Sequence, residues 1–190
     1  MHEHHHDGPR KLPTPEEMEA RYQGSEQLWS GQVNPTLVRF ASGLEPGTAL
    51  DVGCGEGADV AWLDEQGWDA LGIDFAPTAV QRTRARGLHA EVAAFDAFHG
   101  GPFDLVSVHF GGVRADAAAV AHLESLVAPG GTLLFVHHDL ESEEVAMPEW
   151  LAGQLTELEL VTLERIEKES RAGAGAGHTV DVALVARRLL

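Results

Sequence analysis

Basic residues, cysteine and long apolar runs are all scarce in this 190-residue chain. It holds 13 Lys and Arg against 30 Asp and Glu, which gives a formal net charge of -17. Nucleic acids and anionic membranes attract proteins through basic patches, so this balance argues against both as partners. No stretch approaches the roughly 18 to 20 apolar residues of a membrane-spanning helix. We therefore expect a chain that does not cross a membrane and that acts on a small molecule.

The chain also has little cysteine and no stretch that resembles a signal peptide. Cys54 is the only cysteine, so no intramolecular disulfide can form, and the N-terminus lacks the apolar core of a signal peptide. Both features favour the cytoplasm. The first seven residues contain His2, His4, His5 and His6 without a carboxylate or cysteine framework around them. We interpret them as a tag or tail rather than a metal site, and predict no metal centre.

Strand-like and helix-like segments alternate from residue 47 onward. Predicted strands are 48–52, 68–74, 89–94, 103–110, 132–137, 159–169 and 179–187; predicted helices are 35–42, 58–66, 77–86, 115–127 and 148–158. The last two strands follow each other without a helix and should pair antiparallel. The prediction is a Rossmann-like, doubly wound α/β fold. Its seven-stranded sheet is mostly parallel, with helices on both faces and a C-terminal antiparallel hairpin.

The domain prediction is a flexible or tag-like tail over residues 1–20 and one domain over residues 21–190. Residues 8–19 are rich in proline and charge and are expected to order only on contact with the rest. Residues 129–131 read as a turn, and residues 172–177 as a loop within the hairpin. Asn34 precedes Pro35, which predicts a helix start with Asn34 as its cap.

The segment 49–57 reads as a buried strand that turns through three glycines into a helix. Glycines permit a tight turn and let a ligand approach main-chain N–H groups at a helix N-terminus. Asp51 precedes the first glycine by two residues, where a carboxylate repels a pyrophosphate but can hold an ammonium group. Gly53, Gly55 and Ala58 also fit the relaxed dinucleotide fingerprint, so an NAD-dependent oxidoreductase is the alternative enzyme.

Two further aspartates stand at predicted strand ends. Asp74 ends the second strand, where an acid can accept both hydroxyls of a ribose; a helix cap before Pro77 is the alternative. Asp96 follows the third strand and is either a ligand contact or a turn former.

These segments together resemble the class I S-adenosylmethionine-dependent methyltransferases. Residues 49–57 resemble motif I, and 102–110 resemble motif IV; segments 72–77, 95–97 and 128–131 resemble further motifs in the order of that family. The resemblance implies S-adenosylmethionine as the cofactor and a small-molecule methyl acceptor. A non-catalytic module that binds the same cofactor stays open, and we expect a monomer or a homodimer.

The resemblance also implies a role for individual residues. Asp51 and the glycine loop would hold the methionine end, with Cys54 as a small residue beside the cofactor. Asp74 would hold the ribose, Phe75 would pack on the adenine, and Asp96 with Ala97 would bind its edge. The implied cofactor-binding residues are Trp29, Asp51, Gly53, Cys54, Gly55, Asp74, Phe75, Asp96, Ala97 and His109.

The N-terminal flank, residues 21–46, is expected to be a cover segment followed by a helix. Residues 22–34 resemble the lid-like segment of small bacterial methyltransferases of the tellurite-resistance and thiopurine type. There an aromatic residue covers the cofactor, a role that falls on Trp29; packing against the sheet is the alternative.

Histidines cluster at the predicted ends of the fourth and fifth strands. His109 is expected to line the acceptor site, as a catalytic base or as a packing or cofactor-contacting residue. His137 and His138 are the other candidates for a base. A metal site is the alternative, although His137 and His138 should point to opposite sides of their strand.

Overall fold

The structure is a computed structural model that describes residues 12–167 and 179–190. The N-terminal histidines and the 172–177 loop lie outside these residues. The strands are β1 (Thr48–Val52), β2 (Asp69–Asp74), β3 (Ala90–Val92), β4 (Phe103–His109), β5 (Val127–His138), β6 (Glu159–Glu167) and β7 (Val180–Arg187). The helices are α1 (Pro15–Gln23), α2 (Pro35–Ala41), α3 (Ala58–Glu65), α4 (Pro77–Ala85), α5 (Ala117–Ser125) and α6 (Pro148–Ala152), with a 3-10 helix at Phe95–Ala97.

The seven strands form one sheet in the order β3-β2-β1-β4-β5-β7-β6. β1 to β5 are parallel, and β7 runs antiparallel between β5 and β6. The fold class is therefore the one the sequence predicts, including the reversed hairpin at the C-terminal end. No helix in the described ranges has the length and apolar character that crossing a membrane requires.

Alternate residues of the central strands enter two separate cores. Leu50, Val106 and Phe135 pack on one face with α5 and α6, while Ala49, Leu105 and Leu134 pack on the other with α2, α3 and α4. Every residue of β4 from Leu105 to His109 is buried, as expected for a strand covered on both faces. The same alternation places Asp51, Ser107, His109 and His138 on the α2–α3 face, at the carboxyl edge of the sheet.

The helix α1 is not among the predicted helices; residues 8–19 were expected only to order on contact with the rest of the chain. Thr14 and Glu17 form a capping box, and Pro15 occupies the first helical position. Met18 and Tyr22 are buried against Ala76 and Ala79 of the α4 region. The proposed boundary at residue 20 consequently falls inside a packed helix.

The helix predicted over residues 148–158 ends at Ala152, so its second half is wrong. Glu124 of α5 is 2% exposed, and its carboxylate accepts the backbone N–H groups of Thr156, Glu157 and Leu158. Because these donors bind a side chain on another helix, the chain after Gly153 turns into β6 instead of continuing the helix.

The turn predicted at residues 129–131 is instead an irregularity inside β5. The pairing with β4 shifts register between Phe103 and Leu105 at this point. Gly130 has φ 75°, and its N–H donates at 2.9 Å to Arg188 O, just after the neighbouring strand β7. The strand therefore continues through the glycines as a bulge.

Close packing between Cys54 and Gly72 predicts that residue 72 has no room for a side chain. A Cβ added to Gly72 would lie 2.7 Å from Cys54 Cβ and 2.9 Å from Val60 Cγ2. We expect Gly72→Ala to lower the free energy of unfolding by about 2 kcal/mol, the usual cost of overfilling a packed core. Gly43→Ala is the control, since a Cβ there meets nothing within 4 Å. Equal stability of the two variants in denaturant unfolding would contradict this packing.

Candidate active site

The turn of residues 53–57, called here the glycine turn, joins β1 to α3. Gly53 has φ 73° and Gly57 has φ 82°, conformations that strongly favour glycine. The N–H groups of Gly53 and Cys54 both donate to Ile73 O, at 2.8 and 2.9 Å. These two bonds fold the chain back over the carboxyl end of β2 and set the path of the turn.

Asp74 ties the glycine turn to the end of β2. Its Oδ2 accepts the Gly55 N–H at 3.0 Å, and its Oδ1 accepts the Ala76 N–H at 2.9 Å. The side chain does not cap α4, whose N-cap residue is Ala76. Burial raises the pKa of Asp74, and the two backbone bonds oppose that rise. Phe75 follows as a half-buried residue beside α1.

Asp51 is a buried carboxyl group at the end of β1 and is 3% exposed. Among residues 12–167 and 179–190, none donates a hydrogen bond to its side chain. Burial raises its pKa well above the ordinary value, and the nearby Asp59 and Asp74 raise it further. Three carboxyl groups thus converge beside the glycine turn, and only Asp51 among them lacks a donor from the described chain.

Asp59, in the first turn of α3, is a site residue that the sequence reasoning missed. Its two oxygens accept the backbone N–H and the side-chain NH₂ of Asn34, each at 2.8 Å. Asn34 is the N-cap residue of α2 and Pro35 its first residue, as predicted, but the Asn34 side chain makes no capping bond because it reaches α3 instead. The signal available in the sequence was an acid in the first helical turn after the glycines.

His109 is held between β4 and α2. Its Nε2 lies 2.7 Å from Thr36 Oγ1 and its Nδ1 lies 3.0 Å from Ser107 Oγ. The Nδ1 atom is also 3.6 Å from Asp59 Oδ2. Burial lowers the pKa of His109, while Asp59 and Asp181 oppose the shift. The imidazole is therefore neutral at neutral pH, and hydroxyl groups lie within hydrogen-bonding distance of both ring nitrogens.

The other two histidines lie at the same edge, on β5. His138 Nδ1 is 2.9 Å from Asp181 Oδ1 of β7, and the ring stacks on Phe110 with centroids 4.2 Å apart. His137 lies edge-on to His138 at 5.8 Å. Over the described parts of the chain, no three His, Cys, Asp or Glu side chains are grouped as metal ligands require.

The cover segment, residues 22–34, lies against the glycine turn. Trp29 donates from Nε1 to Tyr22 Oη at 2.8 Å and remains 37% exposed. A Cβ on Gly55 would be 3.1 Å from Trp29 Nε1 and 3.2 Å from Tyr22 Oη. Both aromatic residues thus contact the part of the turn that the sequence predicts to face a cofactor.

Glu56 holds this cover segment in place. Its carboxylate accepts the N–H groups of Leu28 and Trp29 at 3.0 Å each, and Arg82 of α4 pairs with it at 2.8 Å. Arg82 also donates to the carbonyl oxygens of Tyr22 and Ser25. Sequence reasoning missed Glu56 and Arg82, because they bind each other and backbone groups far away along the chain.

The remaining predicted residues lie beside this centre. Asp96 and Ala97 form an exposed 3-10 turn after β3, next to the end of β2 in the sheet. Cys54 is buried against Gly72, and burial raises the pKa of its thiol. The thiol is therefore neutral at neutral pH, which is consistent with a packing role and not with a nucleophile.

A family profile described as a methyltransferase domain matches residues 26–180. The chain belongs to this methyltransferase family. A solved structure from work on "Conversion of a Disulfide Bond into a Thioacetal Group during Echinomycin Biosynthesis" has the same fold. It aligns with a TM-score of 0.73 at 21% identity, covering 92% of this chain and 93% of the other.

Two curated relatives match shorter parts of this methyltransferase-family chain. The 2-heptyl-1-hydroxyquinolin-4(1H)-one methyltransferase of Mycobacteroides abscessus is 43% identical over an alignment of 82 residues, and the match covers 38% of this chain and 35% of that protein. A thiopurine S-methyltransferase of Pseudomonas putida is 37% identical over an alignment of 95 residues, and the match covers 46% of this chain and 44% of the relative. The chain thus matches less than half the length of either relative.

The Glu56 contacts predict how the cover segment opens. Glu56→Gln keeps the size of the side chain but removes its charge, so the bonds to the Leu28 and Trp29 N–H groups weaken. We expect amide hydrogen exchange at these two residues to accelerate about tenfold, as for loss of a charge-assisted hydrogen bond at a partly exposed site.

The control is Glu65→Gln, at an exposed position of α3. Unchanged exchange at residues 28 and 29 in Glu56→Gln, measured by mass spectrometry or NMR, would show that the cover segment is held by other contacts.

Proposed function

We propose that this chain binds S-adenosylmethionine at the glycine turn and transfers its methyl group to a small molecule. The observation that carries the proposal is the Asp51 carboxyl group, which is buried without a donor from the described residues. A buried carboxylate needs a partner, and a ligand ammonium group is one that fits beside two other acids. A pyrophosphate at this position would meet three carboxyl groups, which argues against NAD.

The other predicted contacts fit the same ligand. Each oxygen of Asp74 accepts one backbone N–H, and a carboxylate oxygen can accept a second bond, which leaves capacity for ribose hydroxyls. Asp96 and Ala97 are exposed beside this position, where they can bind the adenine edge, and Phe75 can pack on its face. Trp29 would close over the methionine end.

For methyl transfer, the protein mainly has to align the methyl donor with the acceptor. When bound, the cofactor supplies a methyl group on a sulfonium, which is an activated leaving group. The glycine turn, Asp51 and Asp74 fix the position of this group, and the cover segment excludes water from it. His109 is neutral and hydrogen-bonded to two hydroxyl groups. We therefore assign it the role of a rigid residue that lines the acceptor site, rather than that of a base.

The acceptor would enter over the carboxyl ends of β4 and β5. Phe110 and His138 present stacked rings there, which suits a flat aromatic or heteroaromatic molecule. The two curated relatives are named for such acceptors, a hydroxyquinolinone and a thiopurine. The net charge of -17 disfavours nucleic acid. A cytoplasmic monomer or homodimer remains our expectation.

Calorimetric titration tests the cofactor assignment. We expect S-adenosylmethionine and S-adenosylhomocysteine to bind and NADH to give no heat. Asp74→Asn should weaken S-adenosylhomocysteine by about 2 kcal/mol, the cost of losing charge-assisted hydrogen bonds to a buried carboxylate. Asp69→Asn, at the exposed opposite end of β2, is the control. Heat from NADH, with none from S-adenosylmethionine or S-adenosylhomocysteine, would rule the assignment out.

Turnover separates an enzyme from a non-catalytic binding module. We expect transfer of a labelled methyl group from S-adenosylmethionine to a member of a panel that contains a thiopurine and a hydroxyquinolinone. His109→Asn should lower this rate at all pH values. It should not flatten the pH profile between about pH 6 and 8, because a His109 imidazole that stays neutral does not titrate there. A flattened profile would instead make His109 the base.

A further inference from the structure

Two other acids lie close to the Asp51 side chain, one on α3 and one on β2. Asp59 faces it from α3 and Asp74 from β2, and both act electrostatically on its carboxyl group. The buried Cys54 thiol is near Asp51. The neutral His109 ring of β4 lies next to Asp59, and the Tyr22 phenol of α1 is near Asp74. Within residues 12–167 and 179–190, no Lys or Arg forms an ion pair with any of the three aspartates.

The three carboxyl groups differ in how they are satisfied. Asp59 accepts two bonds from Asn34, and Asp74 accepts two from backbone N–H groups. Asp51 accepts none from the described residues and is 97% buried, since its exposure is 3%. An ion in this position would be largely removed from water and repelled by its neighbours, whereas a neutral carboxylic acid reduces both costs.

We propose that Asp51 is protonated in the ligand-free protein and gives this proton to the solvent when the ammonium group of the cofactor's methionine end binds. The O–H bond of the acid breaks, the proton passes to the buffer, and the carboxylate that remains accepts N–H bonds from the ammonium group. One proton is released per ligand. This inference rests on the proposed function, and it makes cofactor affinity dependent on pH.

Titration in two buffers measures the proton directly. S-adenosylhomocysteine is titrated at pH 6.5 in phosphate and in imidazole, whose ionisation enthalpies differ. At this pH even the α-amino group of a peptide N-terminus, with a pKa of about 7.7 to 8.0, is protonated. The amino group of the ligand is more basic, so the ligand brings its own charge. We expect close to one proton released per ligand. The dissociation constant should decrease as the pH rises toward neutrality, by up to about tenfold per pH unit.

The matched control ligand is 5′-methylthioadenosine, which has the adenine and ribose but lacks the amino-acid end. It should bind without proton release. The matched variant is Asp51→Asn, a neutral side chain of the same size. It should bind S-adenosylhomocysteine at least tenfold more weakly and without proton release, while its affinity for 5′-methylthioadenosine stays within about threefold.

A measurement without ligand tests the protonated state by itself. An aspartate whose folded pKa lies above its unfolded value of about 3.9 destabilises the protein progressively as the pH rises from about 4 toward the folded pKa. Asp51→Asn removes this effect. Its melting temperature should therefore exceed that of the wild type by a margin that grows between pH 5 and 7, with Asp69→Asn as the control.

The outcomes of these titrations distinguish failure of the proton-release inference from failure of the proposed function. Binding of S-adenosylhomocysteine without proton release overturns the inference and leaves the proposed function standing. Equal proton release with 5′-methylthioadenosine, or undiminished release in Asp51→Asn, overturns it by assigning the proton to another group such as Asp74. Failure of both ligands to bind overturns the proposed function together with the inference.

Discussion

The hydrogen bond between the Gly55 N–H and the Asp74 carboxylate is the contact on which the rest of the site depends. It fixes the glycine turn to the end of β2, while Ile73 O holds the start of the same turn through two N–H groups. Together these bonds determine where α3 begins. They also determine where Glu56 and Asp59, the two acids at that beginning, project.

Those two acids hold the N-terminal segment over the site. Glu56 binds backbone N–H groups of residues 28 and 29, and Asp59 binds Asn34 just before α2. The cover segment is thus attached at two points to the element that it covers. A ligand that shifts the glycine turn would shift the attachment points as well, so cofactor binding and closure are expected to be coupled. Trp29, at the first of these points, and Tyr22 of α1 both lie against Gly55.

The sequence predicted the fold well because the sheet signals are strong and local. The apolar run of β4, the glycine turn after β1 and the uninterrupted pair of C-terminal strands each point to one arrangement, and the structure has all three. The pattern failed where a distant side chain decides the backbone path. Glu124 removes the donors that would extend α6, and Asp59 takes the Asn34 side chain that was expected to cap α2.

The candidate site was predictable in part for the same reason. Asp51, Asp74 and Asp96 stand at successive strand ends, which the topology brings to one edge. Glu56, Asp59 and Arg82 occupy helix or turn positions that look solvent-exposed in sequence, and their partners are 25 to 60 residues away. Periodicity carries no information about such pairs. The α1 helix was missed because its Thr14–Glu17 capping box lies in a segment rich in proline and charge.

The most direct test of this account is a crystal structure of the chain with S-adenosylhomocysteine bound. The account predicts the ligand amino group beside Asp51, the ribose hydroxyls on Asp74, the adenine next to Asp96 and Ala97, and Trp29 closed over the methionine end. A ligand located elsewhere, or one that turns its amino group away from Asp51 into solvent, would contradict it.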